Sequence, residues 1–338
     1  MTIDNPYIKR QLMETIVLVK EEGQQLRHSG IQPGAYVRSH AVSTDKGNVI
    51  YIENEDYVID YKSGTISRTG RSRIPDWGNH PVYGVKGFDH RDYPDYSNRG
   101  YMIYIDYDYE SEDEVNEGIS VLASVNTLDR LIRKLKAGQP LRYVVFGDSI
   151  STGGDASRDD FAFYSLFAND LRERYPEAEL EVVNKALGGE GSTTALERLE
   201  QDVIALQPDL VSIGYGMNDQ CTMGPDIRNG IPPGLFEENI RAMVQQIQRK
   251  TNADIILVTP CISNPHWKHS SGDLAIYTDI LLRLSRELGT CVADVHALWI
   301  RELQAGKTHE SLLLNNVNHP SDYGHAIYYK AFSHLISY

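Results

Sequence analysis

The chain has 338 residues, 41% hydrophobic and 24% charged, which is the profile of a globular protein long enough for one large domain or two ordinary ones. Its formal net charge of −14 argues against nucleic acid and against anionic membranes as partners. Three widely spaced cysteines, Cys221, Cys261 and Cys291, offer neither a disulfide framework nor a zinc pattern and read as buried free thiols.

The first twenty residues lack the apolar core of a signal peptide, and no apolar run approaches membrane-spanning length, so the cytoplasm is the default expectation. Ile8, Leu12, Ile16 and Val19 recur at helical spacing, and Asn5 with Pro6 could open a helix running to Leu26. From Ala35 to Tyr109 the texture changes to short alternating segments separated by Gly, Asn and Asp, the signature of antiparallel strands. This region is expected to form a sandwich or jelly-roll-like β domain. Residues 1–110 hold twelve of the 21 tyrosines. Pairs such as Tyr57/Tyr61 and Tyr101/Tyr107 suit a sugar-binding platform, but cross-strand packing explains them more simply. The loop from Pro75 to Asn98 is long for a compact domain and reads as functional or as an interface. Apolar positions from Val115 to Leu135 predict a helical connector.

The predicted organisation is therefore an N-terminal helix, β-rich domain and connector over residues 1–140, then an α/β domain over 141–338. In the latter, strands are predicted at Leu141–Phe146, Glu181–Asn184, Leu210–Tyr215, Ile255–Thr259 and Thr290–Val295. The helices are predicted at Ala162–Tyr175, Thr193–Leu206, Leu235–Lys250, Leu274–Leu288 and Gly324–Ser337. Alternation of this kind means a parallel sheet covered on both faces, with reacting groups at the carboxyl ends of its strands.

Those ends carry a distinctive set. The first strand runs into Gly147-Asp148-Ser149, where Asp and Ser could cap a following helix and place the hydroxyl near its positive end. A capping serine at an ordinary turn is the plain alternative. The second strand ends in Asn184, followed by Leu187-Gly188-Gly189-Glu190, and the third in Gly216-Met217-Asn218-Asp219. Near the C-terminus comes Asn315-Asn316-Val317-Asn318-His319-Pro320. Together these blocks resemble those of the SGNH, or GDSL, hydrolases over about residues 141–338. The resemblance implies a flavodoxin-like three-layer fold and ester hydrolysis with neither metal nor cofactor. It implies Ser149 as nucleophile, His319 as general base, and the Gly189 N–H and Asn218 amide as oxyanion donors. The residue types suit the work: a serine hydroxyl needs an adjacent base, and the tetrahedral intermediate needs donors aimed at its charge.

One position departs from the family pattern. Where an Asp usually stands three residues before the His, this chain has Asn316. Asp322 and Asp294 lie elsewhere, so the expectation is a Ser–His dyad oriented by a carbonyl of Asn316. Asp148, Glu190 and Asp219 read as loop-shaping residues, and His325 as packing or capping. His266 and His269 lack a third ligand at metal spacing and read as solvent-exposed or substrate-lining, with Trp267 beside them as lining a substrate cleft. The leading expectation is a serine esterase that removes a short acyl group, with acetyl on a carbohydrate as the candidate. A non-catalytic carbohydrate-binding or assembly protein on the same fold, and an acyltransferase using the same serine, stay open. The β domain is expected to wall the cleft or to make a homo-oligomer contact.

Overall fold

The computed structural model describes residues 7–40, 48–111, 128–224 and 229–336. Most of the predicted connector helix lies outside them; its last turns are α1, Asp129–Lys136.

The α/β part follows from near-continuous burial along its strands, with alternate side chains on opposite faces. Tyr143, Val144, Val145 and Phe146 of β8 (Leu141–Gly147) are all fully buried. Tyr143 and Val145 join one apolar cluster, with α2 (Phe163–Arg174) and α8 (Asp322–Ser333) among the covering helices. Val144 and Phe146 join the other, under α3 (Ser192–Asp202), α4 (Pro233–Lys250) and α5 (Leu274–Leu288). Alternate side chains thus feed both faces of one sheet and make three layers. The remaining strands are β9 (Leu180–Asn184), β10 (Leu210–Gly214), β11 (Asp254–Val258) and β12 (Cys291–Ala293), and the parallel order is β12-β11-β10-β8-β9. The order reverses between β8 and β10, and in such sheets the crevice at that switch point is where ligands bind. Two short helices missing from the sequence reading, α6 (Val295–Gln304) and α7 (His309–Leu312), follow β12.

The N-terminal part is two antiparallel sheets around a shared core of Ile16, Leu26, Val37, Tyr57, Ile59, Ile66, Ile103, Ile105 and Tyr107. One sheet is β1-β7-β3-β4 (Ile8–Ile16, Ile103–Glu110, Tyr36–Ser39, Ile50–Tyr51), and the other is β2-β6-β5 (Gln24–Gln25, Thr65–Arg68, Tyr57–Asp60). The expected first helix is instead strand β1. Its register against β7 shifts between Gln11 and Glu14, where Met13 takes φ +54° and donates its N–H to Asp106. This bulge breaks period two and leaves apolar residues at misleading four-residue spacing. Ile8 and Leu12, counted as a helix's apolar face, are 40% and 56% exposed. Tyr57 and Tyr107 are buried, in keeping with packing rather than a sugar platform.

Candidate active site

After β8 the chain enters a stack of turns, so Asp148 and Ser149 do not cap a helix, and the helix expected at Ala162–Tyr175 follows as α2. N–H groups of Thr152, Gly153 and Gly154 donate to the carbonyls of Asp148, Ile150 and Ser149. Gly153 (φ +89°) and Asp155 (φ +65°) then leave the right-handed region, and the next α-helix starts only at Phe163. The nucleophile candidate therefore sits on a tight turn and owes nothing to a helix dipole. Glycine at 154 is a steric requirement: an added Cβ would lie 2.5 Å from the Ser149 carbonyl and 3.3 Å from two His319 ring atoms.

The base candidate is presented by a closed loop. Leu314 N–H donates to the His319 carbonyl at 2.9 Å. Asn315 Oδ1 accepts the N–H groups of Val317, Asn318 and His319 at 2.8–2.9 Å, with Asn316 in the left-handed region between them. His319 Nε2 then lies 2.8 Å from Ser149 Oγ, and its Nδ1 lies 2.7 Å from Asp155 Oδ2. A carboxylate only accepts, so Nδ1 carries the ring proton and Nε2 offers its lone pair to the hydroxyl. Burial alone would raise the Asp155 pKa, but the bonds and charges of His319 and Arg99 outweigh it and hold the carboxyl below its ordinary value.

Asn316 therefore does not do what the sequence suggested. It is fully buried; its carbonyl and Oδ1 both accept from Asn264 Nδ2, and its own Nδ2 has no hydrogen-bond partner. The other carboxylates considered lie elsewhere. Asp294 caps α6, and Asp322 accepts from Ser157 and Tyr104. Asp155 escaped the sequence reading because it is 164 residues from His319. Its one visible signal was a carboxylate inside the nucleophile's own glycine-rich turn.

The loop after β9 approaches Ser149 and is tied to the loop after β10. A Cβ on Gly188 would be 3.9 Å from Ser149 Cβ, and Gly189 takes φ +75° with open space beside it. Asn218 Nδ2 donates to the Glu190 carbonyl at 3.0 Å, which ties the two loops together. Asp219 accepts the N–H groups of Ser192 and Gly216, while the Glu190 carboxylate holds Arg198 and the Tyr215 hydroxyl. Both acids shape loops, as their sequence context suggested. Burial pushes buried Asp148 up to about 7; its Oδ1 accepts the Ile150 N–H. Burial pushes His325 down to about 4. That ring is neutral, donates from Nε2 to the Gly154 carbonyl, and packs beneath the turn.

The long loop from Pro75 meets the segment around Trp267. Phe88 N–H donates to the His266 carbonyl, and Lys268 N–H to the Phe88 carbonyl. Trp267 packs on Val82, Phe88 and Val317, so it is a packing residue here, whereas His266 is exposed. His269, with Asp89 and His90, brings three ligand-type atoms within 4.8 Å. Arg91 binds both Asp89 oxygens and Lys268 adds a second cation, while His90 Nδ1 accepts the Trp267 indole N–H. Asp89, His90 and His269 thus each already have a hydrogen-bond or ion-pair partner.

Three comparisons bear on this arrangement. The model of the GDSL-like lipase/acylhydrolase family matches residues 145–327, just over half of the chain. An acetylxylan esterase of Geobacillus stearothermophilus is 26% identical over 217 residues, covering 61% of this chain and 97% of that protein. The solved structure of an acetylxylan esterase from the same organism superposes with a TM-score of 0.50 at 27% identity, over 60% of this chain and 97% of the other. A solved two-domain esterase active on acetylated mannans gives a TM-score of 0.51 at 21% identity, over 63% of this chain and 54% of that one, which is a likeness of fold. Among the described residues, no helix is long and apolar enough to cross a membrane.

Proposed function

Given that the chain belongs to the GDSL-like lipase/acylhydrolase family and is a carboxylic ester hydrolase, we propose that it is a serine esterase releasing acetyl groups from a carbohydrate, through an acyl-enzyme on Ser149. The observation that carries this reading is the continuous line Ser149 Oγ, His319, Asp155, with contacts of 2.8 and 2.7 Å. His319 Nε2 takes the Ser149 proton as Oγ attacks the ester carbonyl, and Asp155 stabilises the imidazolium that forms. The N–H groups of Ser149 and Gly189 and the Asn218 amide bind the oxyanion; losing one donor of this kind costs about 10²–10³ in rate. The leaving alcohol takes the proton back from His319. Water, deprotonated by the same ring, then attacks the acyl-enzyme and frees acetate and Ser149.

An Asn at position 316 would suit a non-catalytic protein; the Asp155 carboxylate on His319 Nδ1 weighs against that reading. The acetyl and carbohydrate clauses rest on the acetylxylan esterase relative. The test is a nitrophenyl ester series from acetyl to octanoyl, with acetate release from acetylated xylo-oligosaccharides alongside. Turnover should fall with chain length and vanish in Ser149→Ala. Turnover that survives Ser149→Ala would sink the mechanism. Esters of an added sugar acceptor appearing among the products would identify an acyltransferase.

A further inference from the structure

Arg99 lies in a single turn of the N-terminal region, Asn98–Gly100, capped by Ser97. That turn is fastened to the chain that leads into the base loop. Asn98 is fully buried, and its backbone N–H donates to the Leu314 carbonyl at 2.8 Å. Its Nδ2 donates to the carbonyls of Glu310 and Leu313, and its Oδ1 accepts from the Trp77 indole. Ser97 Oγ donates to the Leu314 carbonyl as well. From this anchor Arg99 reaches across to the acid: its guanidinium takes Asp155 Oδ1, while His319 Nδ1 takes Oδ2. Each oxygen of one carboxylate is thus assigned to one cationic or proton-bearing partner. A second tie from the same region holds the acid's loop. The Tyr104 hydroxyl of β7 donates to Asp322 Oδ2, which with Oδ1 also accepts the Ser157 hydroxyl and N–H.

We infer that Arg99 is a positioning residue for the Asp155–His319 pair, so that the N-terminal β region is a working part of the catalytic apparatus and not an appended binding module. This rests on the triad reading above. The guanidinium fixes the carboxylate plane and its turn sets the distance between acid and base, where a misplacement of about 1 Å can cost 10²-fold in rate. Its charge also has a sign. The cation helps hold the Asp155 carboxyl below its ordinary value against burial, so the acid stays ionised to lower pH than it would without Arg99. Among the described residues, His40 from the N-terminal region, Asp148 from the nucleophile turn and His325 from α8 are also coupled electrostatically to the pair. All three are retained in the variants below.

The test is the rate of Ser149 labelling by a fluorophosphonate against pH, together with kcat and KM on nitrophenyl acetate, for the wild type, Arg99→Gln and Arg99→Lys. Near-UV dichroism reports the fold. Arg99→Gln should lower kcat and labelling about 10–100-fold at nearly unchanged KM and move the acid limb up, because the Asp155 carboxyl loses a charge that lowers its pKa. Arg99→Lys keeps the charge without the planar fork. It should hold the acid limb in place and lose several-fold in kcat. Wild-type kcat and acid limb in Arg99→Gln would overturn the inference. If Arg99→Gln does not fold, wild-type kcat in Arg99→Lys overturns it. Wild-type enzyme that fluorophosphonate does not label would instead defeat the serine mechanism itself.

Discussion

The parallel sheet and the seam joining it to the N-terminal strands are both buried, but with different groups. The sheet buries Val, Ile, Phe and Leu on both faces, and its strands match their own apolar pattern to within a residue or two. The seam buries charge. Lys307 and Glu14 pair at 2.6 Å with both side chains wholly inaccessible, and the Tyr107 hydroxyl donates to the same carboxylate. Lys307 also donates to the Thr15 carbonyl, and Thr15 Oγ1 donates to that of Ser311. Nearby, Glu302 accepts from both Arg27 and the Tyr323 hydroxyl. An apolar core tolerates many residues of suitable size. A buried ion pair tolerates only its own partner, since either charge left alone is heavily penalised. The seam is thus the more exacting of the two surfaces, and the acid of the active site stands beside it.

The largest effect expected from this contrast is on catalysis. Asp155→Asn should lower kcat by about 10³–10⁴, the loss that follows when a triad acid becomes an amide, with the melting temperature little changed. Asn316→Ala, at the position where relatives in pattern carry Asp, should cost no more than a few-fold. Steady-state kinetics on a short ester checks both, and a reversed ranking would return the orienting role to Asn316.

Next in size is the seam itself. Lys307→Ala strands the Glu14 carboxylate and should destabilise the protein by about 3–5 kcal/mol in denaturant unfolding. Combining Lys307→Met with Glu14→Gln removes both charges and should recover much of that loss. If Lys307→Ala costs under about 1 kcal/mol, the seam is no more exacting than an exposed ion pair and the contrast with the core disappears.

The smallest effect tests the N-terminal sheets alone. The Arg73 guanidinium, against burial and with help from two backbone N–H groups, holds Asp56 down to about 2. A depressed carboxyl contributes stability in full above its ordinary pKa near 4, and loses it as pH falls through the folded value. Asp56→Asn should therefore destabilise by about 1 kcal/mol or less at pH 7, because Arg73 is half exposed. The gap from the wild type should close between about pH 4 and pH 2. A gap that stays constant through that range would assign it to packing.

What could be read from residues alone was whatever depends on near neighbours. Tyr143 to Phe146 announced a buried strand because four consecutive apolar side chains feed two faces of one sheet. Gly147-Asp148-Ser149, Gly189, Asn218-Asp219 and His319 were recognisable because these blocks, in this order, resemble those of the family. Chain-order alternation was enough to give the layers. Three things were decided only by distant partners. Ile8–Ile16 became a strand because β7 offered a ladder and a bulge at Met13 absorbed the mismatch. Asn316 is engaged by Asn264, 52 residues earlier, whose Nδ2 donates to both its carbonyl and its Oδ1. Asp155 faces His319 because Arg99, Tyr104, His325 and Gly154 bring a turn near residue 150 against a loop near residue 319. Spacing along the chain encodes periodicity, but a hydrogen bond between residues 164 positions apart is fixed by everything folded between them.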